Sequence, residues 1–515
     1  MPEATLGPAM VAAGLVIAVL AAGYLAILSG RPVAPPELRT EAAARGRFTR
    51  NALTPLLASG FDRAVFWVFW IVALRVLGPP RYGEYAFAIN LLTYFGALTD
   101  FGLGTVLTRD IARRGVDLRP RFGAGLVIRL RLVTLSIPLM LGLALIYYAT
   151  GSVSEATVVT AAILAAGLLP TALGQAYASV YGAWERMDRR GLVAAGASAL
   201  TVGLGLVLLG AGTGVIGLAI AGTASGTASL LVLARPVGFD LLRTGRQGLG
   251  HRRDLLASGF PLMLNGLLAT AFVQLDILIL QAIEGTTVVG HYSAAYKFIN
   301  ALNAVPAAVV LAAFPLMARA AEDPEALGRW LARTWRVLIS FAAPAVVLLF
   351  AYAQPLVGAL LGEEFLPFTA QALAILIWFL PLSYCNGTLQ YVVISLDRQW
   401  WLTPAFLVTT LFNVGANLAL VPIFGFLAAA ATTIASEAVL LVMLAWILRR
   451  DQLLRRLLEP ALRPTLAAGC LAVTIWLLRD LPWIPAAAAG LVIYGSVLAL
   501  SGGISRSMFT PRGDD

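Results

Sequence analysis

Among the charged side chains set within apolar stretches of this 515-residue chain, Asp62 and Arg63, Asp100, Asp276 and Lys297 are the candidates for chemistry. Lys297 is the one lysine in the sequence. An ionisable group at the centre of a membrane helix costs a few kcal/mol on insertion scales, so it faces protein or a wet cavity. Arginine presents a planar fork to phosphate oxygens, whereas lysine acts as a point charge. Arg63 and Lys297 are therefore the candidate anion-binding residues. Asp62, Asp100 and Asp276 are candidates for proton or cation coupling, or for pairing with those bases. At 1.5 Å rise per residue, Asp276 and Lys297 both lie roughly 12–15 Å below the same outer surface, and Arg63 with Asp100 is the corresponding pair earlier in the chain. Two readings stand side by side: a cationic cavity, or two neutralising ion pairs that fix helix packing. Asn265, Gln274, Asn300 and Tyr296 are candidate sugar contacts, as are Asn386, Gln390 and Tyr292, although interhelical hydrogen bonding explains such residues equally well. Arg129 and Arg131 are placed at the cytoplasmic edge of their span, in contact with headgroups.

These residues need helices to hold them. The chain is 59% hydrophobic and 12% charged, against about 45–50% and 25% in soluble domains. Apolar runs of about 20 residues, enough to cross a bilayer, recur along its length. They read as an extra helix at 8–29 and six spans between 53 and 234. Six more follow between 256 and 447, and two last ones near 465–479 and 484–501. The expected organisation is all-α and polytopic. An N-terminal helix and basic linker occupy 1–50, a six-span lobe 51–255, a second six-span lobe 256–450, and two additional spans with a short tail 451–515. The net charge of +10 comes from arginines in alternate loops, which is orientation in the membrane and not a nucleic-acid surface. If 30–50 is cytoplasmic, so are 108–121, 182–190, 235–255, 318–334, 396–400 and 448–464. Glu3 ahead of the first helix and Arg31 and Arg39 behind it favour a retained helix with its N-terminus outside.

The two lobes repeat each other. LASGF occurs at 57–61 and 256–260, G-x-x-x-x-G-x-Y-x-x-A begins at Gly78 and Gly285, and a small-residue span begins at Gly217 and Gly425. Both lobes start on the same side with an even number of spans, so they are parallel repeats, expected to surround a central cavity.

RVLGPPRYGEYAFAINLLTYFGALTDFGLGTVLTRDIAR resembles the opening signature of polysaccharide-type flippases in the multidrug/oligosaccharidyl-lipid/polysaccharide exporter superfamily. FPLMLNGLLATAFVQLDILILQAIEGTTVVGHYSAAYKF and NVGANLALVPIFGFLAAAATTIASE resemble later segments of the same family. The resemblance covers roughly 51–450, leaving the front helix outside it. It implies a twelve- or fourteen-helix fold, a V-shaped cavity and an undecaprenyl-diphosphate-linked oligosaccharide as substrate, carried across a bacterial inner membrane by alternating access. On that implication Arg63 and Lys297 hold the diphosphate, and the partners are the glycan lipid, the bilayer and other polysaccharide-assembly membrane proteins.

Enzyme chemistry finds no support. A Walker A loop needs Gly-Lys before Ser/Thr, and Lys297 follows Tyr296. There is no nucleophile elbow and no HExxH helix. His251, His291, Cys385 and Cys470 lie too far apart in sequence to read as a metal cluster. No cofactor is expected beyond coupling to H+ or Na+. The alternatives are a cation-coupled multidrug antiporter of the same superfamily, a lipid II exporter, which would carry more cavity arginines, and a membrane glycan polymerase, which would carry a large external loop.

Overall fold

The computed structural model describes residues 3–30, 41–114, 118–246, 249–451 and 453–502, with side chains omitted at 3–6, 41–64, 113–118, 245–249, 304 and 454. The side chains of Asp62 and Arg63 and the first LASGF copy thus lie outside the described residues. In hydrocarbon every backbone polar group needs an internal partner, which leaves helices as the spanning structure for apolar runs of this length. Among the described residues there are helices and no strands.

The helices are α1 (Glu3–Gly30), α2 (Glu41–Asp100), α3 (Leu103–Arg114), α4 (Leu118–Ala149), α5 (Glu155–Ala183), α6 (Met187–Gly210), α7 (Gly214–Val237), α8 (Arg252–Glu284) and α9 (Thr286–Leu302). They continue as α10 (Ala304–Arg319), α11 (Pro324–Ala351), α12 (Ala353–Leu361), α13 (Phe368–Leu376), α14 (Phe379–Ser395), α15 (Leu402–Ile447), α16 (Leu458–Leu477) and α17 (Trp483–Leu500). Among the described residues, twelve helical stretches are long and apolar enough to cross a membrane, and the bent pair α13–α14 adds a thirteenth.

Two of those stretches each contain two of the spans expected from sequence. α2 is 60 residues long and breaks at Gly78, where φ is 67°. Only glycine adopts that backbone without a steric penalty, and the Pro79 that follows is at home in the first turn of a helix. Residues 12 and 15 apart in a straight helix are separated by roughly 18–22 Å along its axis, yet the Trp70 ring is 5.8 Å from Tyr82 and 5.5 Å from Tyr85. The chain therefore folds back at Gly78. α15 does the same at Gly425, with φ 65°, bringing Asn413 Nδ2 within 3.0 Å of Ser436 Oγ. Counting each as two spans accounts for all the expected crossings.

The chain forms two compact units, Met1–Gly290 and His291–Asp515. In the first, α5 packs on α7 and α4, and α2 lies along α6 and α8. α1 lies along α6. A Cβ on Gly14 would stand 2.7 Å from Gly203 O, one on Gly203 2.5 Å from Ala18 N, and one on Gly210 2.9 Å from Gly7 O. Small residues let membrane helices approach at backbone distance. The sequence places them seven apart on both partners: Gly7, Gly14 and Ala21 against Gly196, Gly203 and Gly210. The N-terminal helix is thus an integral part of the first unit. In the second unit, α11 packs on α14 and α16, and α16 on α17.

Contacts between loops follow the arginine pattern. Segments assigned to the cytoplasm meet through Arg119–Asp240 at 3.3 Å, Arg189 Nη2 to Leu28 O at 2.6 Å, and, in the second unit, Arg398–Asp451 at 2.6 Å. Segments assigned outside meet where Gln281 Nε2 donates to Ser152 O at 2.6 Å. None of these pairs joins a cytoplasmic segment to an outer one.

Candidate functional site

In the first unit the site is built around a broken helix. α2 stops at Asp100, Phe101 and Gly102 take φ of 51° and 68°, and α3 starts at Leu103. The break is pressed against α8. A Cβ on Gly102 would stand 2.6 Å from Leu262 Cβ, and one on Gly259 2.6 Å from Phe101 O. The Asp100 carboxylate is left beside the first turn of α3, within 3.3 Å of the position a Gly104 Cβ would occupy. Free N–H groups and the helix dipole favour negative charge there.

Arg129 of α4 is wholly buried. Its Nη2 donates to Asp100 Oδ1 at 2.8 Å and its Nη1 to Ala172 O at 3.2 Å. The expectation that Arg129 contacts headgroups is corrected here. Its guanidinium is turned into the helix packing and engaged by protein acceptors, which leaves it no headgroup to meet. Arg131, two residues on, is exposed. Asp100 is accordingly held by Arg129, a partner not foreseen for it, while the side chain of Arg63 is outside the described residues.

Beside this pair opens a pocket of about 460 Å³, lined by Asp100, Thr105, Arg109, Gln175, Ser179 and Arg190 among others. Its volume falls in the usual range of ligand sites. Its wall is tied across helices by Thr108 Oγ1, which donates to Ser179 O at 3.2 Å. Two arginines, hydroxyls and an amide in the lining suit a phosphate-bearing polar headgroup.

The second unit has its own buried polar centre. Asn386 Nδ2 of α14 donates to Glu437 Oε2 at 2.6 Å and to Glu437 O at 2.8 Å. Along the other leg of α15, Asn417 Nδ2 donates to Asn413 Oδ1 at 3.1 Å, and Asn413 reaches Ser436. Asn386 Oδ1 and Asn417 Oδ1 are buried and accept no hydrogen bond among the described residues. A buried carboxylate with no basic side chain paired to it needs a proton or a cation. None pairs with Glu437 among the described residues. The criterion that singles out Asp276, an acid inside an apolar run, singles out Glu437 as well. Sequence reasoning passed it over, as it did Arg129, Asn413 and Asn417.

The other expected residues fall as follows. Asp276 is buried in the first unit, with Oδ1 2.9 Å from the N–H of Ile277. Gln274 is engaged by Asn90, whose Nδ2 lies 3.1 Å from Oε1, so its amide joins α2 to α8. Asn265 is half-buried on α8. In the second unit Lys297 is half-buried, Asn300 is exposed, and the Tyr296 hydroxyl is 3.4 Å from Thr433 Oγ1. Tyr292 meets the same threonine at 3.3 Å.

The family model for polysaccharide biosynthesis proteins matches residues 48–321, and the MatE model matches 261–419. No curated protein matches the chain. Among solved structures, lipid II flippase MurJ in an inward closed conformation aligns with a TM-score of 0.70 at 13% identity, over 86% of this chain and 98% of its own. An inward-facing multidrug resistance MATE family transporter of the MOP superfamily aligns at 0.55 and 17% identity, over 84% of this chain and 99% of its own. A MOP superfamily transporter from Pyrococcus furiosus, described as having a binding pocket of reversed polarity, aligns at 0.52 and 17% identity, over 79% of this chain and 96% of its own. At these identities the likeness is one of fold.

Proposed function

Because this chain belongs to the polysaccharide biosynthesis protein family, we propose that it is a flippase for an undecaprenyl-diphosphate-linked oligosaccharide. It would move that lipid from the cytoplasmic to the outer leaflet of a bacterial inner membrane by alternating access, for surface polysaccharide assembly. The observation that carries the reading is the pocket beside the Asp100–Arg129 pair, where Arg109 and Arg190 stand on the side the loop charges assign to the cytoplasm. A diphosphate arriving from the inner leaflet meets two guanidinium forks there, and the broken helix gives it backbone that can rearrange. Arg63 and Lys297 are proposed to take the diphosphate deeper in the membrane. Asp62 and Asp276 stay candidates for coupling to H+ or Na+, joined by Glu437.

The test is the lipid-linked glycan pool of cells with and without this gene, measured by mass spectrometry. Build-up of one complete undecaprenyl-diphosphate oligosaccharide on the cytoplasmic side supports the reading and identifies the sugar. An unchanged pool with altered sensitivity to cationic drugs supports the second reading, a cation-coupled antiporter. That alternative is favoured by one observation, the buried Glu437 held by an amide and not by a base.

A further inference from the structure

A second groove, sharing no lining residue with the Asp100 pocket, runs between α1, α6 and α7. It encloses about 430 Å³, with walls from Leu25 and Ala26 of α1, Leu200 of α6, and Leu231 and Val232 of α7. Its lining is apolar except at one end, where Ser29 and Arg235 stand. This is the end where α1 and α7 both terminate, on the side assigned to the cytoplasm. Arg235 Nη1 is 3.4 Å from Ser29 Oγ. Its other donors have no protein acceptor among the described residues. The C-terminal carbonyls of α1 would repel an anion, but Leu28 O is already taken by the buried Arg189 at 2.6 Å.

A hydrocarbon-lined slot within a bilayer, closed at its surface end by an exposed guanidinium, has a defined complement: an acyl chain attached to a phosphate of net negative charge. Basic groups between membrane helices near the cytoplasmic surface attract anionic headgroups, and the arginine fork suits two phosphate oxygens. We propose that this groove is a binding site for an anionic phospholipid, with an acyl chain along α1 and its phosphate on Arg235. The site is independent of the transported substrate, and α1 forms one of its walls.

The test uses the full chain, reconstituted in vesicles of equal phosphatidylglycerol and phosphatidylethanolamine that contain no undecaprenyl lipid. It is then extracted and its retained lipids are read by native mass spectrometry. The wild type is expected to retain one phosphatidylglycerol in roughly tenfold preference. Arg235→Ala should equalise the two lipids, Arg235→Lys should keep part of the preference, and Ala26→Phe, which fills the groove from an exposed position, should lose both. Equal retention by the wild type, or an unchanged preference in Arg235→Ala, would overturn the proposal. If Ala26→Phe does not elute like the folded wild type, the two Arg235 variants decide.

Discussion

Gly83 and Gly290 occupy the sixth position of the two copies of G-x-x-x-x-G-x-Y-x-x-A, and each is pressed against the turn of the other. A Cβ on Gly83 would run into the carbonyl of Thr286, and one on Gly290 into the carbonyl of Pro79. Thr286 and Pro79 are themselves the equivalent second positions of the two copies. The motif read in sequence as a repeat is thus a reciprocal contact in space, with the second glycine of each copy kept free of a side chain by the other copy's backbone.

Adding that side chain should force the contact open. Gly83→Ala and Gly290→Ala are each expected to lower export about tenfold, equivalent to about 1.4 kcal/mol, with little change in protein level. Maleimide labelling of a Thr287→Cys reporter in the second turn should speed up in both. Wild-type export together with unchanged labelling would show that the turns tolerate separation.

Removing Arg129 leaves Asp100 and the Ala172 carbonyl without their donor. Breaking a buried pair costs about 3–5 kcal/mol when both partners are enclosed. Because Asp100 keeps part of its surface exposed, about 2 kcal/mol is expected, or about 2 °C in Tm for a chain of this length. Asp100→Asn combined with Arg129→Gln should recover most of that stability and still fail to export. If the double variant exports normally, the pair only packs helices.

Why this pair escaped sequence reasoning is a matter of register. The hydrophobic runs and the alternation of loop arginines are one-dimensional signals, so the spans, the fold-backs at Gly78 and Gly425 and the grouping of loops at two ends could all be read from residue order. The burial of Arg129 depends on which face of α4 meets α2 and α5, and residue order does not show that. Asn386 and Glu437 are 51 residues apart. Neither advertises the other, and the pairing exists only after α15 has doubled back.

Glu437→Gln keeps the shape and the hydrogen-bonding capacity toward Asn386 while removing the charge. Folding should be preserved. Transport driven by an imposed H+ or Na+ gradient in proteoliposomes should fall at least about tenfold, equivalent to about 1.4 kcal/mol, with gradient-independent exchange retained. Undiminished gradient-driven transport would remove Glu437 from coupling.

Arg63→Ala and Lys297→Ala are each expected to abolish export at normal protein level, scored as accumulated lipid-linked oligosaccharide. Retained export in both would end the role proposed for the two bases deep in the membrane.

Outside the membrane, the Asp323 carboxylate caps α11 by accepting from the N–H groups of Glu325 at 2.9 Å and Ala326 at 3.1 Å. Those bonds, Ala326 first, hold its pKa below the ordinary carboxyl value. A depressed folded-state value contributes stability above the unfolded pKa of about 3.9 and loses it as pH falls through the folded value. Hydrogen exchange at Glu325 and Ala326 should therefore quicken below about pH 4 relative to neighbouring amides. Asp323→Asn, which keeps an acceptor but no charge, should show no such step.

The glycine seam between α1 and α6 also bears on how the protein is made. The first helix leaves the ribosome with its backbone groove bare, and its partner is complete only after roughly 180 further residues, about 10–40 s at typical elongation rates. During that interval the seam of α1 lacks α6 and is open to any small-faced helix that passes. Premature pairing within a nascent chain, or with a second one, is the hazard this order of synthesis creates. A chain begun downstream of α1 would avoid it, and would leave Gly196, Gly203 and Gly210 facing lipid.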